Sequence, residues 1–259
     1  MGTALITGAT AGLGLEFAWQ LAIAKHNVIL VARNEERLQE VARQLRGATG
    51  VEVEVLVANL AKSADVQKVA RRLRSAGTAE QPRVGLLVNN AGFGIAERFV
   101  DGNLNREIEA LNVMVRAVLV LSRAAVGQMV TAGRGAIINI GSIAALTASG
   151  TYSAHKAWVR TFTEGLAAEL QGTGVTATVV APGLTRTEFH VRAELSTREL
   201  PEFGWLTPQR VVSEALADAR RGVVLSTPSK RYKAAAALLR VAPRRMVRNL
   251  LARTGLRAR

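Results

Sequence analysis

The sequence predicts an α/β protein with a doubly wound, mostly parallel sheet: one domain over residues 1–225 and a basic helical extension over 226–259. Three observations predict it. Strand-like apolar runs alternate with helix-spaced segments from the start of the chain to about residue 225. Most of those runs are apolar throughout, as strands covered on both faces are. A glycine-rich turn joins the first strand to the first helix, where such sheets bind ligands beyond the carboxyl ends of their strands. No linker or internal repeat interrupts the pattern.

Residues 4–7 are a short apolar strand, and 13–25 carry apolar side chains at helical spacing. Residues 27–32 are apolar and β-branched, which suits a buried strand, and 35–46 are helical. Residues 51–57 alternate as a strand does; 63–76 are helical, with Ser63 the expected N-cap. A strand over 84–88 is followed by a long helix over about 104–130 and a strand over 135–140. A helix over 152–170 leads to a sixth strand at 175–180. Thr207-Pro208 has the form of an N-cap followed by Pro at the first helical position, opening a helix that stops at Gly222 before a short strand at 223–225. Right-handed crossovers between parallel strands complete the winding.

Composition narrows the chemistry. The 259-residue chain has no cysteine, which excludes disulfides and thiolate-held metals. Its three histidines, His26, His155 and His190, lack metal-ligand spacing. No run of about 18 apolar residues predicts a transmembrane helix. A strand beginning by Thr3 leaves no room for a signal peptide, and Ile6 breaks the myristoylation pattern, so a cytoplasmic location is the expectation. The net charge of +14 is unevenly placed: twelve of the 34 Lys and Arg lie between Arg220 and Arg259, leaving 22 basic against 20 acidic residues in the body.

Three motifs carry chemistry. Tyr152 and Lys156 are four apart in a predicted helix, so their side chains share a face one turn apart. A cation near a phenol favours the phenolate and lowers its pKa from about 10. Thr7-Gly8-Ala9-Thr10-Ala11-Gly12-Leu13-Gly14 turns from strand to helix with Gly-x-x-x-Gly-x-Gly spacing, which presents backbone N–H groups and a helix N-terminus to a pyrophosphate. A tight turn without a ligand is the alternative. At the end of the second strand, where an acid would select NAD by its ribose hydroxyl, the sequence has Arg33. A guanidinium suits a 2′-phosphate, which favours NADP(H) over NAD(H); a solvated surface arginine is the other reading.

With these motifs in place, the chain from Gly2 to about Leu225 resembles the short-chain dehydrogenase/reductase family, which has a Rossmann fold. Matching pieces occur in the family's order: the glycine turn, Asn89-Asn90-Ala91-Gly92, Asn112, Ser142, Tyr152 with Lys156, and Pro182-Gly183. The resemblance implies hydride transfer between a nicotinamide and a carbonyl or alcohol. Tyr152 would be the general acid/base, and Lys156 would lower its pKa and hold the ribose. Ser142 would bind the substrate oxygen, and Asn112 would support a proton relay. Along the cofactor it implies Gly8, Thr10, Ala11, Gly12, Leu13, Gly14, Arg33, Asn59, Leu60, Asn90, Ala91, Gly92, Pro182, Gly183, Thr185 and Thr187, with no metal; for Asn89 and Thr187 a structural bond is an equal reading. A homo-oligomer, dimer or tetramer, is implied too. Two departures stand out. Asn59 replaces the family's usual Asp, and the loop from Ser142 to Tyr152 is short, which puts the geometry of that pair in question.

The connection after Gly183 carries Leu184, Phe189, Leu195, Leu200, Phe203 and Trp205. It reads either as a lid over a hydrophobic carbonyl substrate or as packing on the body. In the tail, 234–241 and 244–251 are helical, and Met246, Val247, Leu250 and Leu251 form an apolar stripe beside Arg244, Arg245 and Arg248. This helix suits packing on the body or on a partner subunit, or peripheral contact with an anionic membrane. Nucleic acid is disfavoured, because no aromatic interleaving accompanies the charge. The alternatives to an enzyme are a catalytically silent dinucleotide sensor and a membrane-surface interaction protein.

Overall fold

Period-two alternation sorts the strand residues onto two helix-covered faces. The structure is a computed structural model and describes residues 2–78, 81–95, 97–189 and 202–253. His190, Leu195 and Leu200 lie outside the described residues. The strands are β1 (Thr3–Thr7), β2 (Asn27–Ala32), β3 (Val53–Val57), β4 (Val84–Asn89), β5 (Gly135–Ile140), β6 (Val175–Val180) and β7 (Leu225–Ser226). They pair in the order β3-β2-β1-β4-β5-β6-β7, all parallel. The winding reverses between β1 and β4, which opens a crevice at their carboxyl ends.

The helices are α1 (Gly12–Ile23), α2 (Glu35–Thr49), α3 (Ser63–Arg74), α4 (Leu104–Leu111), α5 (Ala117–Thr131), α6 (Gly150–Glu169), α7 (Pro208–Arg220), α8 (Lys230–Val241) and α9 (Arg244–Arg253). Ala4, Ile6, Val28 and Leu30 pack with Phe17 and Leu21 of α1, Leu38 and Leu45 of α2, and Val211 and Val212 of α7. Leu5, Ile29 and Val31, on the opposite face, pack with Val66, Val69 and Leu73 of α3 and with Leu121 and Met129 of α5. Truncating one such Leu to Ala costs about 2–5 kcal/mol.

Several local expectations shift. Ser63 is the first helical residue of α3 rather than its N-cap; Lys62 takes that place without a side-chain bond. The cause is a turn at Asn59, whose Oδ1 accepts the Ala61 N–H (3.0 Å) while the Asp65 carboxylate accepts the Asn59 N–H (2.7 Å). The predicted long helix is broken by a π-helical turn, Asn112–Arg116, in which the Ala117 N–H bonds the Asn112 carbonyl. β3 starts at Val53, α6 starts at Gly150, and the last strand falls at Leu225–Ser226. Thr207 caps α7 as expected, accepting the Arg210 N–H.

The run Leu104–Thr131 is apolar enough, by length and composition, to cross a membrane, against the sequence expectation. Half of its apolar window is buried in the fold. Ala110, Met114, Ala117, Leu121, Ala125 and Met129 are at most 1% exposed, which accounts for the hydropathy as a core helix's inner face.

The C-terminal helices return to the end of the sheet that carries the crevice. Tyr232 of α8 donates its O–H to the Gly204 carbonyl (2.7 Å) and accepts the Leu184 N–H (3.1 Å). Its ring lies where a methyl on Gly183 would sit. On α9, Val247 is buried and Arg244 donates to the Leu146 carbonyl (3.0 Å).

Candidate active site

The glycine turn is built from the β1 end outward. Thr7 Oγ1 donates to the Val88 carbonyl (3.3 Å) and accepts the N–H groups of Asn90 (2.9 Å) and Ala91 (3.1 Å), clipping β1 to the segment after β4. Asn90 Nδ2 donates to the Thr7 carbonyl (2.9 Å) and the Gly8 carbonyl (3.3 Å). Gly8 (φ 68°) and Gly12 (φ 53°) hold left-handed conformations that side chains resist. Gly14 lets α1 lie against the turn, since a methyl there would overlap the Gly8 carbonyl. Asn89, by contrast, is buried and structural. Its Nδ2 donates to Asn139 Oδ1 (2.9 Å) and Ser122 Oγ (3.2 Å), and Asn139 Nδ2 donates to Thr163 Oγ1 (2.9 Å).

One cavity of about 1810 Å³ runs along this edge. Drug-sized ligands occupy about 300–1,000 Å³, so a dinucleotide and a second molecule fit together. Gly8, Thr10, Ala11, Gly12 and Leu13 line it on the β1 side, with Arg33, Asn59 and Leu60 at the far end. Asn90, Ala91 and Gly92 line the middle, and Pro182, Gly183, Thr185 and Thr187 close it from β6. Thr187 also packs 3.3 Å from where a Gly12 Cβ would stand. Gly14 and Asn112 are the two sequence-predicted residues that do not line the cavity.

The reactive end lies between β5 and α6. Lys156 is 5% exposed, and its Nζ donates to the Ile140 carbonyl (2.7 Å) and stands 5.7 Å from the Tyr152 ring centroid. Burial pushes the Lys156 amine down to about 8. Burial pushes the Tyr152 phenol up to about 12, against a lowering hydrogen bond with Ser142. The sequence reading has Lys156 lowering this phenol. Here desolvation sets the direction, and the opposing bond comes from Ser142 rather than from Lys156.

The short loop brings Ser142 and Tyr152 together. Ser142 Oγ accepts the Ala144 N–H (3.1 Å) at the head of a 3₁₀ turn, Ile143–Leu146. Gly150 (φ 68°) then starts α6, and Ser153 Oγ ties it back to Thr147 Oγ1 (3.0 Å) and the Ser149 N–H (3.1 Å). Asn112 sits in the π turn, where its Oδ1 accepts from Arg116 Nη1 (3.3 Å). Arg33 is exposed and ion-paired with Glu109 at 3.4 Å.

The cavity also takes residues that the sequence reading passed over. Arg37, four residues after Arg33 and in the first turn of α2, is a neighbour that charge pattern could have flagged. Tyr232 and Leu239 come from α8, with nothing local in their sequence to point to a pocket wall; Val247 and Arg248, expected on an amphipathic helix, join the wall from α9.

The residues fit a dinucleotide: a left-handed glycine turn at a helix N-terminus, a basic far end, and a buried Tyr–Lys–Ser cluster at the near end. The fold and this cluster define a dinucleotide-dependent oxidoreductase. The short chain dehydrogenase family model matches residues 2–197, and the chain belongs to that family. Among curated relatives, the very-long-chain 3-oxoacyl-CoA reductase of Anas platyrhynchos is 32% identical over 220 residues, covering 82% of this chain and 67% of the relative. Sulfoacetaldehyde reductase 2 of Chromohalobacter salexigens is 38% identical over 190 residues, covering 71% and 73%. Among solved structures, a short-chain dehydrogenase from Sphingobium yanoikuyae in complex with NADPH superposes with a TM-score of 0.85 at 34% identity, covering 98% of this chain and 96% of that one. The bulky-bulky ketone specific alcohol dehydrogenase of Comamonas testosteroni gives 0.78 at 30%, covering 94% and 95%.

Proposed function

We propose that this oxidoreductase interconverts a carbonyl and an alcohol on a hydrophobic small molecule, using NADP(H). The observation that carries this reading is the cluster of Ser142, Tyr152 and Lys156 inside the cavity that also holds the glycine turn. The bound dinucleotide would supply or accept the hydride. Tyr152, its phenol held near 12 by burial, stays protonated at neutral pH and in the reduction direction would donate that proton to a carbonyl oxygen. Ser142 accepts the Ala144 N–H and bonds the Tyr152 phenol, and its O–H would turn from the phenol to the same carbonyl oxygen when substrate binds. Lys156 holds positive charge beside the phenol, fixed by the Ile140 carbonyl. For Asn112 the relay role rests on the family resemblance alone, since it lies off the cavity wall with its Oδ1 accepting from Arg116. The apolar substrate is supported by Phe93, Val113, Ile143, Leu184, Phe189 and Leu239 on the cavity wall, and by the bulky ketone named for the Comamonas neighbour.

Arg33 and, in the first turn of α2, Arg37 support NADP at the far end. A charge-assisted bond contributes about 1.5–3 kcal/mol, so Arg33→Ala should weaken NADPH about tenfold or more and NADH far less. Equal weakening of both cofactors overturns the NADP assignment. A panel of apolar ketones with NADPH tests the activity: Tyr152→Phe should lower turnover by about 10²–10⁴. Cofactor binding without turnover by the unaltered protein would favour a silent sensor instead.

A further inference from the structure

The C-terminal helix α9 places one charged group on the wall of the substrate end that the proposed carbonyl chemistry does not use. Arg248 lines the cavity. Its neighbour Val247 is 3% exposed, which fixes this turn of the helix against the body. One turn earlier, Arg244 bonds the carbonyl of Leu146, the last residue of the 3₁₀ turn that Ser142 opens. Arg248 is thereby held on the Ser142 side of the cavity, at the opposite end from Arg33.

The other cations of the cavity wall are spoken for. Arg33 pairs with Glu109, Arg37 with Glu40, Arg98 with Asp101 and Arg106 with Glu97, while Lys156 bonds the Ile140 carbonyl. Arg248 has no ion pair or hydrogen bond among the described residues. Of the acids on the cavity wall, Glu109 pairs with Arg33 and Glu97 with Arg106, and neither Glu107 nor Glu188 makes an ion pair with Arg248 among the described residues. Glu194 and Glu199 lie outside the described residues. After Asp218 the chain has no acidic residue at all, so the tail supplies no counter-charge of its own.

A guanidinium beside an apolar wall is suited to bidentate capture of a planar or tetrahedral anion. We infer that Arg248 forms an anion subsite of the substrate pocket, and that the substrate joins an apolar carbonyl-bearing body to a carboxylate, phosphate or sulfonate that reaches α9. This deepens, and rests on, the reading of the cavity as a carbonyl reductase site. The apolar wall takes the body, Ser142 and Tyr152 take the carbonyl, and Arg248 takes the far end. The two polar anchors fix which face of the carbonyl is presented.

The test uses benzoyl-alkanoates of increasing chain length and their methyl esters, which differ by one charge. With NADPH, the ratio of kcat/KM for acid over ester should be about tenfold or more at the best chain length. Arg248→Gln should collapse that ratio toward one, and Arg248→Lys should retain part of it. A ratio at or below one in the unaltered protein, or one untouched by Arg248→Gln, overturns the subsite. If no ketone is turned over, the carbonyl reductase reading fails separately. Dissociation constants of the same acids and esters from the NADP⁺-loaded protein, by calorimetry, then give the acid-over-ester ratio that judges the subsite by itself.

Discussion

Lys156 offers a quantitative check on the electrostatics of the site. Its ammonium is almost fully buried, and burial brings its pKa from 10.5 down to about 8. That displacement, from 10.5 to about 8, corresponds to about 3 kcal/mol of native-state penalty on the charged form. The sign follows from proton binding. Between about pH 8 and 10.5 the unfolded chain holds the proton more tightly than the folded one, so stability rises with pH across that window. Below about pH 8 the penalty is complete and constant. Lys156→Met keeps the length of the side chain and removes the charge. It also leaves the Ile140 carbonyl without its donor, an offset that does not vary with pH. Urea unfolding of both proteins at matched pH isolates the lysine, because the other titrating groups cancel. The unaltered protein should gain about 2 kcal/mol on Lys156→Met between about pH 7 and about pH 9.5. Tyr152, displaced upward, acts in the opposite sense, but only above about pH 10. Parallel pH profiles for the two proteins would refute the picture of a desolvated ammonium at this position.

Two further predictions concern the frame of the site. Gly183→Ala places a methyl in the Tyr232 ring and should destabilise by about 1–3 kcal/mol in chemical unfolding. Combined with Tyr232→Ala the two losses should fall short of additive, and strict additivity would remove the contact. Asn139→Ala removes one hydrogen bond from the buried Asn89 amide, which keeps Ser122, and one from the Thr163 hydroxyl, which keeps the Val159 carbonyl, at about 0.5–1.5 kcal/mol per lost bond. A total loss under about 1 kcal/mol would mean that the network under β4 and β5 is dispensable.

The order of strands and helices was legible because nearly every strand is buried on both faces, and such strands announce themselves as apolar runs. The glycine turn was legible for a different reason: only glycine tolerates the left-handed backbone at Gly8 and Gly12 and the contact at Gly14. Less was legible where one residue's setting depends on a distant segment. Asn112 looked like an ordinary helical residue, yet it opens a π turn. Ser63 had the residue type of a cap, but the turn at Asn59 and Asp65 starts the helix one position early.

By itself, the sequence determined the sheet, the glycine turn, the Tyr152–Lys156 spacing and the position of Arg33, because each is written in local periodicity or in a residue type that the local backbone demands. Only the tertiary structure decided that the short loop carries Ser142 to Tyr152, and that burial, not Lys156, sets the direction of the phenol's pKa. It alone brought Tyr232, Val247 and Arg248 from the basic tail to the substrate end. Desolvation and long-range packing depend on what surrounds a side chain in space, and residues some 90 positions apart carry no mark of that meeting in their own neighbourhoods.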